Sequence, residues 1–147
     1  MSELPPIAEL VPHAGPMLLL QRLLEWGDEY VVCEVRVRSD GLFDSAGRVP
    51  AWLGMEYMAQ AVAAFSGLQA RREQEPVKLG FLLGSRRFET NVQDFTCGDV
   101  LLVTARCLVH GSSGMGAFEC EVQGDYAKQS ATLSVYQPPD ASDFVSL

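Results

Sequence analysis

What the chain is short of narrows it first. It has only two histidines, His13 and His110, and no Cys-x-x-Cys pair among its four cysteines at 33, 97, 107 and 120. A zinc framework therefore has no ligand set at the usual spacing, and reduced thiols packed in a cytosolic core are the reading for the cysteines. Basic residues are scarce. Eleven Lys and Arg stand against nineteen Asp and Glu, a net charge of −8. A global cationic footprint is absent, and with it the basis for general nucleic-acid binding. The opening MSELPPIAELVPH has no basic n-region and no long apolar run, so no secretory signal is visible and a cytoplasmic protein is expected. The most apolar stretch, 51–68, is interrupted by Glu56 and Gln60. A carboxylate at mid-membrane costs about 2.5–3.5 kcal/mol, which favours a buried core helix over a membrane span.

What is present is ordinary globular material: 147 residues, 48% apolar and 20% charged. That length fits one domain with a real core. We expect a single domain over 1–147, with an N-terminal arm at 1–16 and a polar tail at 138–147. MLLLQRLLEW (17–26) is apolar enough for strand or helix. The Gly27-Asp28 turn signal and the clean alternation of YVVCEVRVR (30–38) make it the hairpin partner of that strand. In 30–38, Cys33, Val35 and Val37 face one way and Glu34, Arg36 and Arg38 the other. Residues 39–49 read as loop. Pro50 is expected to open a helix running to about Glu75, where Pro76 stops it; such a helix spans about 35 Å. It is apolar nearly all round, so other structure must wrap it. Strands are expected at 77–89, 100–110, 116–123 and 126–137, with turns at 98–99, 111–114 and 124–125. A long helix inside the concave face of an antiparallel sheet is an α+β arrangement, the hot-dog fold, although the pattern alone admits other α+β arrangements.

Glu56 is the most informative residue. It lies early in an apolar helix, with Trp52, Leu53, Ala59 and Gln60 about one turn away and Ala63 about two. If it is desolvated its pKa rises, and a carboxyl that keeps its proton near neutral pH suits general acid work. The plainer alternatives are a position on an exposed helix edge or a pairing with arginine. His13, in LVPHAGPM, and His110, at a strand end, read on pattern alone as packing and rim residues. Ser45, Ser66 and Cys97 have no base at useful spacing. The glycines neither follow a strand nor open a helix in the way nucleotide binding requires. Charge is uneven. Arg71, Arg72, Lys78, Arg86 and Arg87 stand against Glu73 and Glu75, a net of +3 over 71–87, which leaves −11 for the remainder. Such an island can steer an acidic partner; cations complementing a helix end explain Arg71 and Arg72 equally well.

Four segments in order carry a resemblance. LVPHAGPMLLLQRLL resembles the PHRYPFLLVDRV-like segment of β-hydroxyacyl-(acyl carrier protein) dehydratases. VPAWLGMEYMAQAVAAFSG resembles their central helix, RRFETNVQDFTCGDVLLVTA their strand-turn-strand, and GDYAKQSATLSVYQP their closing strand. Together these cover about 9–138, and the likeness is greatest to the dehydratase-like hot-dog proteins of aryl-polyene pigment clusters. The resemblance implies a hot-dog dimer joined edge to edge, either a homodimer or a heterodimer with another hot-dog chain. It implies a tunnel at the interface for an acyl-phosphopantetheine arm, and elimination of water from a 3-hydroxyacyl thioester, without metal or cofactor. Glu56 matches the family's helix carboxylate. Ala51 falls where a backbone N–H polarises the thioester carbonyl. Trp52, Gln60, Pro16 and Met17 fall along the substrate path, and the 71–87 cations would meet the acidic carrier.

One departure matters. The family's usual histidine sits in a Gly-His-Phe-Pro loop ahead of the carboxylate. Here that region is GLFDSAGRVP, with no histidine. Either His13 supplies the base, or the chemistry is lost. Three expectations follow: a dehydratase with His13 as base and Glu56 as acid, a weakly catalytic or non-catalytic partner subunit of a dehydratase heterodimer, or a thioesterase in which Glu56 activates water.

Overall fold

A computed structural model describes residues 4–39, 43–74, 81–111 and 113–136, the side chains of Phe81 and His110 excepted. Its frame is a six-stranded antiparallel sheet. The strands are β1 (Arg22–Trp26), β2 (Tyr30–Arg36), β4 (Phe81–Thr90), β6 (Val100–His110), β7 (Met115–Gln123) and β8 (Lys128–Tyr136), in the order β1-β2-β6-β7-β8-β4. A two-stranded ribbon, β3 (Arg48–Pro50) with β5 (Asp94–Thr96), stands beside it. One helix, α1 (Leu53–Arg72), packs on β2, β6, β7 and β8. This is the expected α+β hot-dog arrangement.

Period-two burial makes the sheet's inner face. Val31, Cys33 and Val35 on β2, Leu101, Val103 and Ala105 on β6, and Phe118, Cys120 and Val122 on β7 are all buried. Phe65 of α1 meets Phe118 edge-on at 5.5 Å between ring centres, a favoured aromatic geometry. The helix is not wrapped all round. Trp52, Met55, Glu56, Ala59, Ala63, Ser66 and Gln69 form a stripe that the chain's own structure leaves partly open, as spacing of three and four on one helix face requires.

The helix also starts later than expected. Pro50 ends β3, a position on a ribbon edge where its missing N–H is no loss, and α1 begins at Leu53. The stretch expected to be loop throughout carries a tight hairpin instead. Ser45 and Arg48 exchange both backbone hydrogen bonds around Ala46 and Gly47, which have φ of 53° and 76°, the two left-handed residues that such a turn demands. Lys78 and the tail at 138–147 lie outside the described residues.

The N-terminal arm is a strap across α1. Ile7–Glu9 and Gly15–Met17 are single 3-10 turns, and Ile7, Leu10 and Val11 are buried. At Gly67 a Cβ would come within 1.9 Å of the Leu10 carbonyl oxygen. Glycine there lets the strap lie against the helix backbone.

Candidate active site

The strap delivers His13 to the partly open stripe of α1. His13 Nε2 lies 3.6 Å from Glu56 Oε1, the two side chains being 27% and 37% exposed. The single chain thus brings together the two residues the sequence nominated for chemistry. Glu56 sits at the edge of the helix and not in its core, the exposed-edge position that the sequence left open as an alternative to a desolvated one.

Gln60 organises the pair from beneath. It has no exposed surface. Its Oε1 accepts the Leu19 N–H at 2.9 Å, and its Nε2 donates to the Met17 carbonyl at 2.8 Å and to Glu56 Oε1 at 3.0 Å. Because Leu19 N–H needs an acceptor, the amide orientation is fixed. Oε1 of Glu56 is therefore held as an acceptor, and a proton on that carboxyl belongs on Oε2. Among the described residues His13 Nδ1 is buried without a hydrogen-bond partner, and Nε2 is the nitrogen turned toward the carboxylate.

The remaining substrate-site expectations separate. Met17 and Trp52 are exposed, at 47% and 60%, and Pro16 is exposed with its carbonyl accepting from Arg38. Ala51 does not offer the expected amide. Its N–H donates to the Gln93 carbonyl, and its own carbonyl accepts from Gly54 N–H and Gln129 Nε2. Among the described residues, the amides without an acceptor at the helix start are those of Trp52 and Leu53, the orphan donors that open any helix.

Arg71 and Arg72 are already paired, Arg71 with Glu9 at 3.6 Å and Arg72 with Asp28 at 3.1 Å. Arg72 also lies over the Trp26 ring. Those contacts place the helix end at the β1–β2 turn, whereas Arg86 and Arg87 are exposed on β4, the opposite sheet edge. The island read from 71–87 is therefore split within the chain.

Two residues escaped the sequence reading. Arg38, assigned to the wet face of β2, lies past the end of that strand and donates to the Leu18 and Pro16 carbonyls. Gln129, 1% exposed, bonds both Ala51 O and Thr90 Oγ1, and its Oε1 occupies the place a side chain at Gly54 would take. The signal for Gln129 is a polar residue on the inward phase of β8, in step with Ala131 and Leu133. Arg38 carries no such signal.

A family model for the ApeP-like proteins, described as ApeP dehydratase, matches residues 5–146. The chain belongs to the ApeP-like dehydratase family. It is 31% identical over 140 residues to a 3-hydroxyacyl-[acyl-carrier-protein] dehydratase FabZ of Streptococcus equi subsp. zooepidemicus, spanning 91% of this chain and 96% of that one. FabZ of Streptococcus uberis matches to the same extent. The dehydratase heterocomplex ApeI:P from Xenorhabdus doucetiae contains a chain that superposes with a TM-score of 0.88 at 30% identity, covering 98% of this ApeP-like chain and 97% of the other. A hypothetical thioesterase with coenzyme A from Streptococcus pneumoniae superposes at 0.59 with 14% identity, which speaks for the hot-dog fold alone. No helix among the described residues is long and apolar enough to cross a membrane.

Proposed function

We propose that this ApeP-like chain removes water from 3-hydroxyacyl thioesters carried on an acyl carrier protein, giving the trans-2-enoyl product in fatty-acid or polyene chain synthesis. The observation that carries the reading is the 3.6 Å approach of His13 Nε2 to Glu56 Oε1. His13 takes the α-proton. The electron pair of the broken Cα–H bond forms the double bond, the Cβ–O bond breaks, and the hydroxyl leaves as water with the proton from Glu56 Oε2. His13 then releases its proton to solvent and Glu56 Oε2 takes one up, which resets the pair. The thioester carbonyl is met by the unengaged amides of Trp52 and Leu53, in place of Ala51. Gln60 acts by holding Glu56 and the strap, not by touching substrate.

Two groups 3.6 Å apart cannot stand on opposite faces of an acyl chain. The substrate's Cα and β-oxygen are about 2.4 Å apart, two single bonds at a tetrahedral angle, so both groups address them from one side. Proton and hydroxyl therefore leave syn. Substrates deuterated on one or the other C2 position test this, and anti loss rejects the geometry.

The deciding experiment is turnover of a 3-hydroxyacyl-carrier thioester by the wild type, His13→Ala and Glu56→Gln. Each substitution lowers kcat by about 10²- to 10⁴-fold; unchanged rates in both remove the assignment. Release of free thiol without enoyl formation would mean thioesterase chemistry instead.

We read β4 as the dimer edge. It is an end strand of the sheet, with Leu82 and Leu83 47% and 55% exposed, a liability that a second strand removes. Of the 71–87 cations among the described residues, Arg86 and Arg87 on that strand are the two left to meet an acidic carrier. The second reading, a partner subunit of a heterodimer, is favoured by the heterocomplex in which the ApeI:P relative occurs. Inactivity of the purified chain, restored by a second hot-dog chain, would select it.

A further inference from the structure

Between His13 and β1, the strap is gripped by two side chains from separate elements. Gln60 takes the Met17 carbonyl and the Leu19 amide. Arg38 takes the carbonyls that alternate with them, donating from Nη2 to Pro16 O at 2.6 Å and from Nη1 to Leu18 O at 3.2 Å. Four consecutive residues, 16–19, are thus each held by a side chain. Arg38 is itself anchored. Val37 N–H donates to Asp99 O, Gly98 N–H to Val37 O, and the Cys97 thiol to Arg38 O. On its other side the strap enters the sheet through Gln21 N–H, which donates to Glu34 O at 2.7 Å.

Among the described residues His13 has no comparable hold of its own: its Nδ1 is unpartnered and its Nε2 stands at the long distance of 3.6 Å from Glu56. Its place is set by the backbone that carries it. A guanidinium presents its donors in a rigid planar fork, so two carbonyls are held at a fixed spacing from a single side chain. A Lys ammonium has three rotatable donors on a flexible stem and holds two carbonyls less rigidly.

We propose that Arg38 is a positioning residue for His13, clamping carbonyls 16 and 18 against the Gln60 side of the strap so that the imidazole stays beside Glu56. As a contribution to catalysis this rests on the dehydratase reading; as a clamp it does not. The test uses the full-length chain in a His110→Gln background, which leaves one histidine. Arg38→Met and Arg38→Lys are compared with the parent by hydrogen exchange of the Leu19 amide, by the rate of His13 acylation with diethyl pyrocarbonate, and by kcat and KM. With Arg38→Met, Leu19 exchange and His13 acylation each rise about tenfold or more, kcat falls about 10- to 100-fold with KM within twofold, and millimolar guanidinium restores part of kcat. Arg38→Lys falls between, and serves alone if the Met variant does not fold. Unchanged exchange and acylation overturn the proposal whatever the activity does. Raised exchange and acylation with kcat unaltered overturn the catalytic role of the clamp. If the parent dehydrates nothing but exchange and acylation still rise, the clamp stands and the dehydratase reading falls.

Discussion

The two faces of α1 bury the same helix by different physics. Toward the sheet, Met58, Ala61 and Ala64 have no exposure, and Cys33 and Cys120 on the facing strands have none either. Desolvation pushes both thiols up to about 12. Toward the strap, Gln60 is just as buried, yet every part of its amide is engaged, and Glu56 beside it keeps contact with solvent. The sheet face gains from apolar area removed from water. The strap face gains from satisfied hydrogen bonds, which stabilise modestly when made and cost heavily when one partner is removed. A carboxylate survives next to the second kind of burial and not next to the first.

Alkaline titration breaks the sheet face hardest. The unfolded chain releases thiol protons above its ordinary value near 9, while the folded chain keeps them to about 12. The folded state then binds more protons, so stability falls as pH rises through that window, by about 1.4 kcal/mol per pH unit for each thiol. Urea unfolding between pH 8 and 10.5 should show a slope that flattens in Cys33→Ala/Cys120→Ala, whatever the variant loses at neutral pH. An unchanged slope would mean the thiols are already hydrated.

On the strap side, the apolar anchor comes next. Leu10→Ala should cost about 2–5 kcal/mol, the usual range for a buried leucine. Gly67→Ala should cost about 1–3 kcal/mol, because its methyl pushes on the Leu10 carbonyl instead of leaving a void. Gln60→Leu follows. It strands the buried Leu19 N–H, a loss of about 1–3 kcal/mol, and deprives Glu56 of a donor, so kcat falls with it. Chemical denaturation reads the first two; the third needs activity as well, since unchanged kcat would separate Gln60 from the site.

These contrasts mark what could be read in the residues and what could not. Period-two alternation in 30–38, 100–110 and 116–123 was sufficient for the strands, because one buried face leaves its imprint on every second residue. Glu56 was legible as an acid in an apolar helix. Its partial exposure was one of the open alternatives and could not be chosen from pattern, since the stripe of Trp52, Met55, Ala59 and Ala63 is as apolar as the face that packs on the sheet. His13 was reached through likeness to dehydratases, but its approach to Glu56 depends on a strap whose path no local pattern encodes. Arg38 illustrates the same limit. Alternation assigns it a side of a strand, while its side chain acts beyond the strand's end, on carbonyls twenty residues away in sequence. The ribbon of β3 and β5 is three residues per strand, too short to show a period.

The smallest effects concern the charges. Arg71 and Glu9 are each more than half exposed, and pairs of that kind contribute about 0.2–1 kcal/mol, screened further by salt. Arg71→Ala should therefore shift the unfolding midpoint only slightly, and a double-mutant cycle with Glu9→Ala should give a coupling that shrinks in 0.5 M salt, about fivefold above the level where screening already reaches 10 Å. The same occupation has a functional corollary. Arg71 and Arg72 hold acids of their own chain, whereas Arg86 and Arg87 sit open on β4. Removing Arg86 and Arg87 should weaken association with an acidic carrier more than removing Arg71 and Arg72, as measured by KM for the carrier-bound substrate across a salt series. The reverse order would mean that the intrachain pairs open when the carrier arrives, and the island suggested by the spacing of 71–87 would then be assembled by binding and not by folding.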